Sequence, residues 1–279
     1  MKLRRLNVEF YDEILGSSFI DDLVRLNTIK IFLAYKICCS DEYELFTKTR
    51  QQVGFWGFPG VNPDASAPSL EDMHWFIRRC LNSGHTSPIE HTTLTFHISG
   101  FSRAGSHQLV RNRIASYTQQ SQRSVSMHDM PVVCPTTIEN HKNPEVFRRF
   151  KDTIQIIEDA YNFFISEDVP KEDARFISPQ ACTTALIATM NLRAWQNFFR
   201  ERSCNRAQWE IRDFSDQALA LCQKYYPFIF EDSGPKCYEH ATCPEGPLMC
   251  KQPKFLHRES ASTRRKARLK EHKMSQLKQ

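Results

Sequence analysis

From His91 to Ser99 the chain reads HTTLTFHIS, where Leu94, Phe96 and Ile98 alternate with Thr93, Thr95 and His97. Side chains two apart share a face of an extended strand, so the alternation predicts a half-buried strand with one apolar side. That side has to be covered, and the rest of the chain offers helices to do it. Ser69 and Asp72 form a capping-box pattern, followed at helical spacing by Met73, Phe76, Ile77, Cys80 and Leu81 until Gly84. After Gly100 the chain reads as a helix to about Tyr117, which would set Gln108 and Arg111 one turn apart on one face. Longer helices are expected at 144–166, at 183–202 and from about Asn205 to Tyr225, the last with Ala207, Ile211, Phe214, Ala218 and Leu221 turned inward. Few strands among several long helices predict an α+β fold: a single domain, residues 1–230, with a small antiparallel or mixed sheet packed by helices.

Residues 50–68, RQQVGFWGFPGVNPDASAP, hold three glycines and three prolines and predict a long loop. Hydrophobic residues make up 41% of the 279, enough for a sizeable core and too many for a disordered chain. No segment approaches eighteen uninterrupted apolar residues, and the N-terminus has neither a continuous apolar run nor a small-residue cleavage site, so a cytoplasmic protein without membrane association is expected. Most of the ten cysteines fall singly or adjacent within other runs, which favours reduced thiols.

The charge of +5 is unevenly spread. Residues 251–279 hold ten Lys/Arg and two acids, leaving 27 basic and 30 acidic residues before them. Residues 231–279 are expected to form a partly disordered, cysteine-containing basic extension with at most weak nucleic-acid contact. Within it Cys237, His240, Cys243 and Cys250 stand as C-x2-H-x2-C-x6-C, a spacing that superficially suits tetrahedral zinc and supports a rival reading as a nucleic-acid-binding protein. Short Cys/His clusters arise by chance in a cysteine-rich chain, so no metal ligand set is assigned.

The stretch that most needs a chemical explanation is RNRIASYTQQSQR, Arg111 to Arg123. The chain lacks both GxGxxG and GxxxxGK, so any phosphate must be held by side chains. Arg111, Arg113 and Arg123 supply planar forks that make paired bonds to phosphate oxygens, while the glutamines and Ser121 supply neutral groups able to read a heterocycle edge. Alternatively the stretch is a solvated helix end and turn. A second polar set lies in NLRAWQNFFRERSCNRAQWE, with Asn191, Arg193 and Asn197 on one helix face, Trp195, Phe198 and Phe199 on the packing face, and Arg202 just past the helix.

These segments together resemble the flavin-dependent thymidylate synthases. RNRIASYTQQSQR resembles that family's R-H-R-x7-S signature, GHTSPIEHTTLTFHI its GH-x-S/T-P-x-EH segment, HQLVR its Q-x-x-R approach, and NLRAWQNFFRER with AQWEI its C-terminal half; AYKICCS is similar to a short N-terminal family segment. The resemblance implies reductive methylation of dUMP to dTMP, with FAD as cofactor and NADPH and 5,10-methylenetetrahydrofolate as co-substrates, in a homotetramer whose sites draw on neighbouring chains. By the same resemblance Ser87, Arg111, Asn112, Arg113, Gln119, Asn191, Leu192, Arg193 and Asn197 contact FAD. Gln108, Leu109, Val110, Arg111, Gln119, Gln120, Ser121, Gln122, Arg123 and Arg175 contact dUMP, and Arg202 polarises the uracil. Two positions depart from the pattern: Asn112 replaces the signature histidine, and Ser124 is small where an aromatic is common. An inactive paralogue of the synthase is the other alternative. Ser121 is assigned to binding rather than nucleophilic attack, since no histidine or acid stands at a spacing that would deprotonate it.

Overall fold

The computed structural model describes residues 2–10, 17–39, 69–125, 130–240 and 243–251, so the loop expected at 50–68 and nearly all of the basic tail lie outside the described residues. Among these, strands β1 (Asn7–Phe10), β2 (Thr93–Ser102), β3 (Ser116–Gln119) and β4 (Thr183–Asn191) make one antiparallel sheet in the order β1-β2-β4-β3. The longer helices are α1 (Ser17–Cys39), α2 (Leu70–Asn82), α3 (Arg103–Leu109), α4 (Pro144–Ser166), α5 (Leu192–Arg202) and α6 (Trp209–Tyr225). The α+β class and the small sheet are as the sequence predicts. No helix among the described residues is long and apolar enough to cross a membrane.

Two compact units are distinguishable. One gathers the start of the chain, Thr95–Thr189 and Gln208–Phe214. Here Phe10 stacks on Phe96 with ring centroids 4.6 Å apart, Phe214 meets Phe101 at 6.0 Å, and Met130, Val132, Ile154, Tyr161, Ala174 and Cys182 form a buried cluster. The other runs up to Leu94 and takes in Met190–Ala207 and the chain from Ser215 onward. Its aromatic core includes Trp195, Phe198, Phe199 and Phe230, and Phe76 of α2 packs edge-on against Phe32 and Tyr35 of α1. The α2 capping box is present: Asp72 N donates to Ser69 Oγ at 3.1 Å and Ser69 N donates to Asp72 Oδ2 at 3.2 Å.

Three expectations are corrected. The helix expected at 183–202 is a strand, β4, followed by a helix, α5. In β4, TTALIATMN, Thr184, Leu186, Ala188 and Met190 are buried while the intervening side chains are half-buried. A strand flanked on both edges and covered to some degree on both faces reads as one apolar run, which periodicity cannot separate from a buried helix. The helix expected from Gly100 to Tyr117 is also mostly something else. β2 continues through Gly100 to Ser102, only Arg103–Leu109 is helical, and Ser116–Gln119 pairs with β4 from Ser116↔Thr189 to Gln119↔Leu186. Gly100 has φ +67°, and a Cβ there would sit 2.0 Å from the Arg5 carbonyl oxygen, so this glycine allows a close backbone approach rather than ending the strand. Finally, the helix expected to begin near Asn205 begins at Trp209, where Gln208 Oε1 accepts from the backbone N–H groups of Glu210 and Ile211 at 3.0 and 2.9 Å. Ile211, Phe214 and Ala218 of its expected inward stripe are buried, Leu221 is half-buried, and Ala207 precedes the helix.

Candidate active site

In the first unit, β2 hands over to α3 at Ser102. Its backbone is extended (φ −72°, ψ 160°) and its Oγ accepts from Gly105 N at 2.9 Å, the arrangement of a helix N-cap. Ser102 N and Oγ in turn donate to the Glu210 carboxylate at 2.6 and 2.5 Å. Burial raises the Glu210 pKa, the two bonds from Ser102 pull it back, and nearby Asp213 raises it further. A Cβ on Gly105 would lie 2.7 Å from the Phe101 ring and 2.8 Å from Glu210 Oε2, so the start of α3 is held tightly.

The far end of α3 presents Gln108 and Val110 to solvent while Leu109 is fully buried. The Leu109 carbonyl collects three donors: Asn112 N at 3.1 Å, Asn112 Nδ2 at 2.9 Å and the Tyr117 hydroxyl at 2.9 Å. Asn112, standing where the family signature has histidine, therefore uses its amide to close the turn. Arg111 does not continue the helix face of Gln108, because it lies in this turn rather than on α3. Arg111 and Arg113 are exposed, and neither makes an ion pair among the described residues.

Beyond the turn, Gln119 Nε2 donates to Thr184 Oγ1 at 3.2 Å and Gln120 N to Ala185 O at 2.9 Å, so the end of β3 is set by its pairing with β4. Ser121 Oγ accepts from Arg123 N at 3.1 Å and Ser124 N at 3.3 Å, holding a turn in which Gln122 is exposed. Arg123 is paired with Glu172.

Arg175 is the most constrained of the candidate residues. It is 9% exposed, and its Nε and one terminal nitrogen have no hydrogen-bond partner. A buried guanidinium with unmet donors carries a cost that a bound anion would relieve. Arg103, the first residue of α3, lies close by: burial first, then the charge of Arg175, lowers its pKa. Both arginines pull on the Cys182 thiol, but burial wins and pushes it up to about 12. Neither arginine is neutralised by an ion pair among the described residues.

In the second unit, α5 is launched by Asn191, whose Oδ1 accepts from Ala194 N at 2.8 Å; Leu192 N donates to Thr92 O at 3.0 Å and Trp195 Nε1 to Leu94 O at 3.1 Å. Asn191 thus caps the helix rather than sharing the face of Arg193 and Asn197, and Leu192 is buried. Arg193, paired with Glu90, and Asn197 do share a face, and with Arg78, Gln196 and Arg200 they line a cavity of about 690 Å³. Ser87 is exposed at the start of the 3-10 turn Ser87–His91. Arg202 is the last residue of α5, not past it, and lines a smaller cavity of about 270 Å³ with Cys204, Cys237 and Cys243.

Sequence reading missed Arg103, Glu210 and Arg200. Arg200 had a usable signal, lying three and seven residues beyond Asn197 and Arg193 on the same helix. Glu210 stood inside the AQWEI motif without an assigned role, and Arg103 was hidden by the expectation that a helix began at Gly100.

Arginine-lined clefts on an α+β scaffold, in a chain without the glycine-rich phosphate motifs, suit phosphorylated ligands held by side chains. The comparisons with known proteins specify which. Residues 30–228 match the family model described as thymidylate synthase complementing protein. The chain is 44% identical over 194 residues to the flavin-dependent thymidylate synthase of Geobacter sulfurreducens, covering 68% of this chain and 82% of that protein. The flavin-dependent thymidylate synthase of Clostridium tetani is 40% identical over 207 residues, with the same two coverages. Among solved structures, the UMP/dUMP methylase PolB from Streptomyces cacaoi, bound with 5-Br dUMP, shares the fold with a TM-score of 0.62 at 18% identity, over 83% of this chain and 96% of that one. The chain belongs to the flavin-dependent thymidylate synthase family.

Proposed function

We propose that this protein methylates dUMP at C5 to give dTMP, taking the one-carbon unit from 5,10-methylenetetrahydrofolate and reducing equivalents from NADPH, with FAD as the bound cofactor. The observation that carries this reading is Arg175, a buried guanidinium with unmet donors beside a second arginine, which suits the dianionic phosphate of a nucleoside monophosphate.

Arg175, with Arg103, would hold the dUMP phosphate, and Arg123, once released from Glu172, would add a third fork. Gln108 and the residues from Gln119 to Gln122 would orient the ribose and base through neutral bonds. Arg202 would place its guanidinium near the pyrimidine carbonyls, stabilising negative charge as the ring ionises and C5 becomes nucleophilic. The residues fit a flavin dinucleotide: Arg111 and Arg113 are exposed and make no ion pair among the described residues, and Arg193 and Asn197 line a cavity with two further arginines. Those four, with Ser87, Asn112, Gln119, Asn191 and Leu192, would hold FAD, which when bound supplies the electron transfer that the side chains lack. Sites divided between neighbouring chains of a homotetramer remain part of this proposal, as does a cytoplasmic location.

The test is a spectrum. Full-length protein reconstituted with FAD should be yellow, NADPH should bleach it, and label from the folate methylene should reach dTMP. Failure to retain flavin would overturn the reading. Flavin retained and reduced without methyl transfer would instead identify the inactive paralogue.

A further inference from the structure

The glutamate of the AQWEI motif is assigned to neither nucleotide nor flavin, yet it ends beside the place where two arginines of the first unit approach each other. Glu210 is 2% exposed. Gln208 Oε1 accepts its backbone N–H at 3.0 Å, so the side chain leaves from a fixed base at the start of α6. Both carboxylate oxygens go to a single residue: Oε1 accepts from Ser102 N at 2.6 Å and Oε2 from Ser102 Oγ at 2.5 Å. Capping α3 does not by itself call for this. Ser102 Oγ already accepts from Gly105 N, and the cap of α5 rests on the Asn191 side chain alone among the described residues. A buried carboxylate gives up solvation that a plain cap would keep. Gly105 makes room for it, since a Cβ there would meet Glu210 Oε2 at 2.8 Å. Segments 108 residues apart are fitted to one another here.

What the junction carries is the next residue, Arg103. Its backbone is tied on the other side as well: Arg103 N donates to Cys182 O at 2.9 Å and Ala104 N to Gln180 O at 3.2 Å. The loop that receives these bonds begins at Arg175, whose carbonyl accepts from Ser178 N at 2.9 Å, and closes where Cys182 N donates to Pro179 O at 3.0 Å. A short run of backbone bonds thus joins the anchor points of both arginines. Their guanidinium groups are near enough that burial and then the charge of Arg175 lower the Arg103 pKa. Like charges repel, so keeping the two together takes a fixed backbone beneath them. Glu210 pairs with neither arginine among the described residues, and so acts through Ser102 rather than by neutralising them.

We propose that Glu210 is a positioning residue for phosphate recognition: through its two bonds to Ser102 it fixes the first turn of α3 so that Arg103 stands beside Arg175 and both forks meet the phosphate of dUMP. This rests on Arg103 and Arg175 being the phosphate-holding pair. Two forks grip one phosphate well only when both are in place before it arrives, and a rigid support beneath them removes the cost of ordering them on binding.

The experiment compares dUMP with deoxyuridine, which has the same base and sugar but no phosphate, by calorimetric titration of the full-length, FAD-loaded protein. Glu210→Gln keeps an acceptor for Ser102 N but turns an amide N–H toward Ser102 Oγ, leaving the hydroxyl hydrogen without its acceptor. The dUMP dissociation constant should rise about tenfold, with kcat changed less than about twofold and deoxyuridine binding unchanged. In an Arg103→Ala background Glu210→Gln should weaken dUMP no further, because the fork it places is gone. Should Glu210→Gln fail to fold, Ser102→Ala, which removes one of the two bonds, should give the same pattern at about threefold. Equal losses for dUMP and deoxyuridine would make Glu210 a structural support only and overturn the proposal. Unchanged dUMP binding, or a full additional loss in the Arg103→Ala background, would do the same. Unchanged dUMP binding in Arg103→Ala itself would overturn the phosphate reading, and the proposal with it.

Discussion

Two strand-to-helix junctions can be compared directly, β2 into α3 and β4 into α5. Each turns on a polar N-cap with nearly the same backbone angles, Ser102 at φ −72°, ψ 160° and Asn191 at φ −70°, ψ 163°. What fixes them differs. The Ser102 junction is held by a buried carboxylate, Glu210, taking two short hydrogen bonds, and α3 beyond it begins with Arg103 and ends at the turn closed by Asn112. The Asn191 junction is held by neutral bonds to Thr92 and Leu94 and by buried aromatic rings, and α5 beyond it carries Arg193, Asn197 and Arg202. One junction depends on a single ionisable group, the other on dispersed packing and backbone bonds, so they should fail differently.

The largest effect is expected at Glu210. Glu210→Ala strips the acceptors from a buried N–H and hydroxyl and should cost roughly 3 kcal/mol or more of stability by denaturant titration. A loss below about 1 kcal/mol would mean that the carboxylate is dispensable to the junction.

Next comes chemistry at the end of α5. Arg202→Lys keeps a charge but loses the planar fork, and should lower kcat about a hundredfold while dUMP and FAD still bind. Equal losses in dUMP binding and turnover would make Arg202 an ordinary ground-state contact. Arg175→Ala acts on the other quantity: the dUMP concentration needed for half-maximal rate should rise by tens of fold, with kcat changed less. An unchanged requirement for dUMP would remove Arg175 from the phosphate site.

A smaller stability loss, about 1 kcal/mol, is expected for Asn191→Ala, because the neighbouring bonds and packing remain. Melting of that variant beside Glu210→Ala tests the contrast between the junctions. The smallest effect is in pH dependence. His74 is stacked on Phe228 at 3.9 Å, and burial, then Arg78, lowers its pKa below the usual 6.5. The folded state therefore favours the neutral ring: its contribution is complete above about pH 6.5 and is lost as pH falls through the lowered folded pKa. Glu210, with a raised pKa, has the opposite sign: its contribution is present below its unfolded value and lost as pH rises through the folded one. Melting curves of His74→Asn should be flatter than wild type below pH 6.5, and an identical slope would exclude the ring as a source.

Much of this protein was legible without coordinates wherever the signal was local. The α2 capping box and stripe, the alternation of β2 and the long helix α4 each need only neighbours in sequence. So did the family, because four ordered motifs survive whatever elements carry them. Tertiary structure alone decided that TTALIATMN is a strand: its neighbours are β3, about seventy residues earlier, and β2, more than eighty residues earlier, and cover on both faces erases the period of two. It also turned Gly100 from an apparent terminator into a point of backbone approach, since the approaching carbonyl belongs to Arg5. The same holds for the chemistry. The exposed arginines at 111, 113 and 123 were visible as a run, whereas Arg103 beside Arg175, and Cys204 beside the tail thiols, are distant in sequence. Like charges and thiols carry no pairing pattern along the chain; what brings them together is burial of the apolar residues between them.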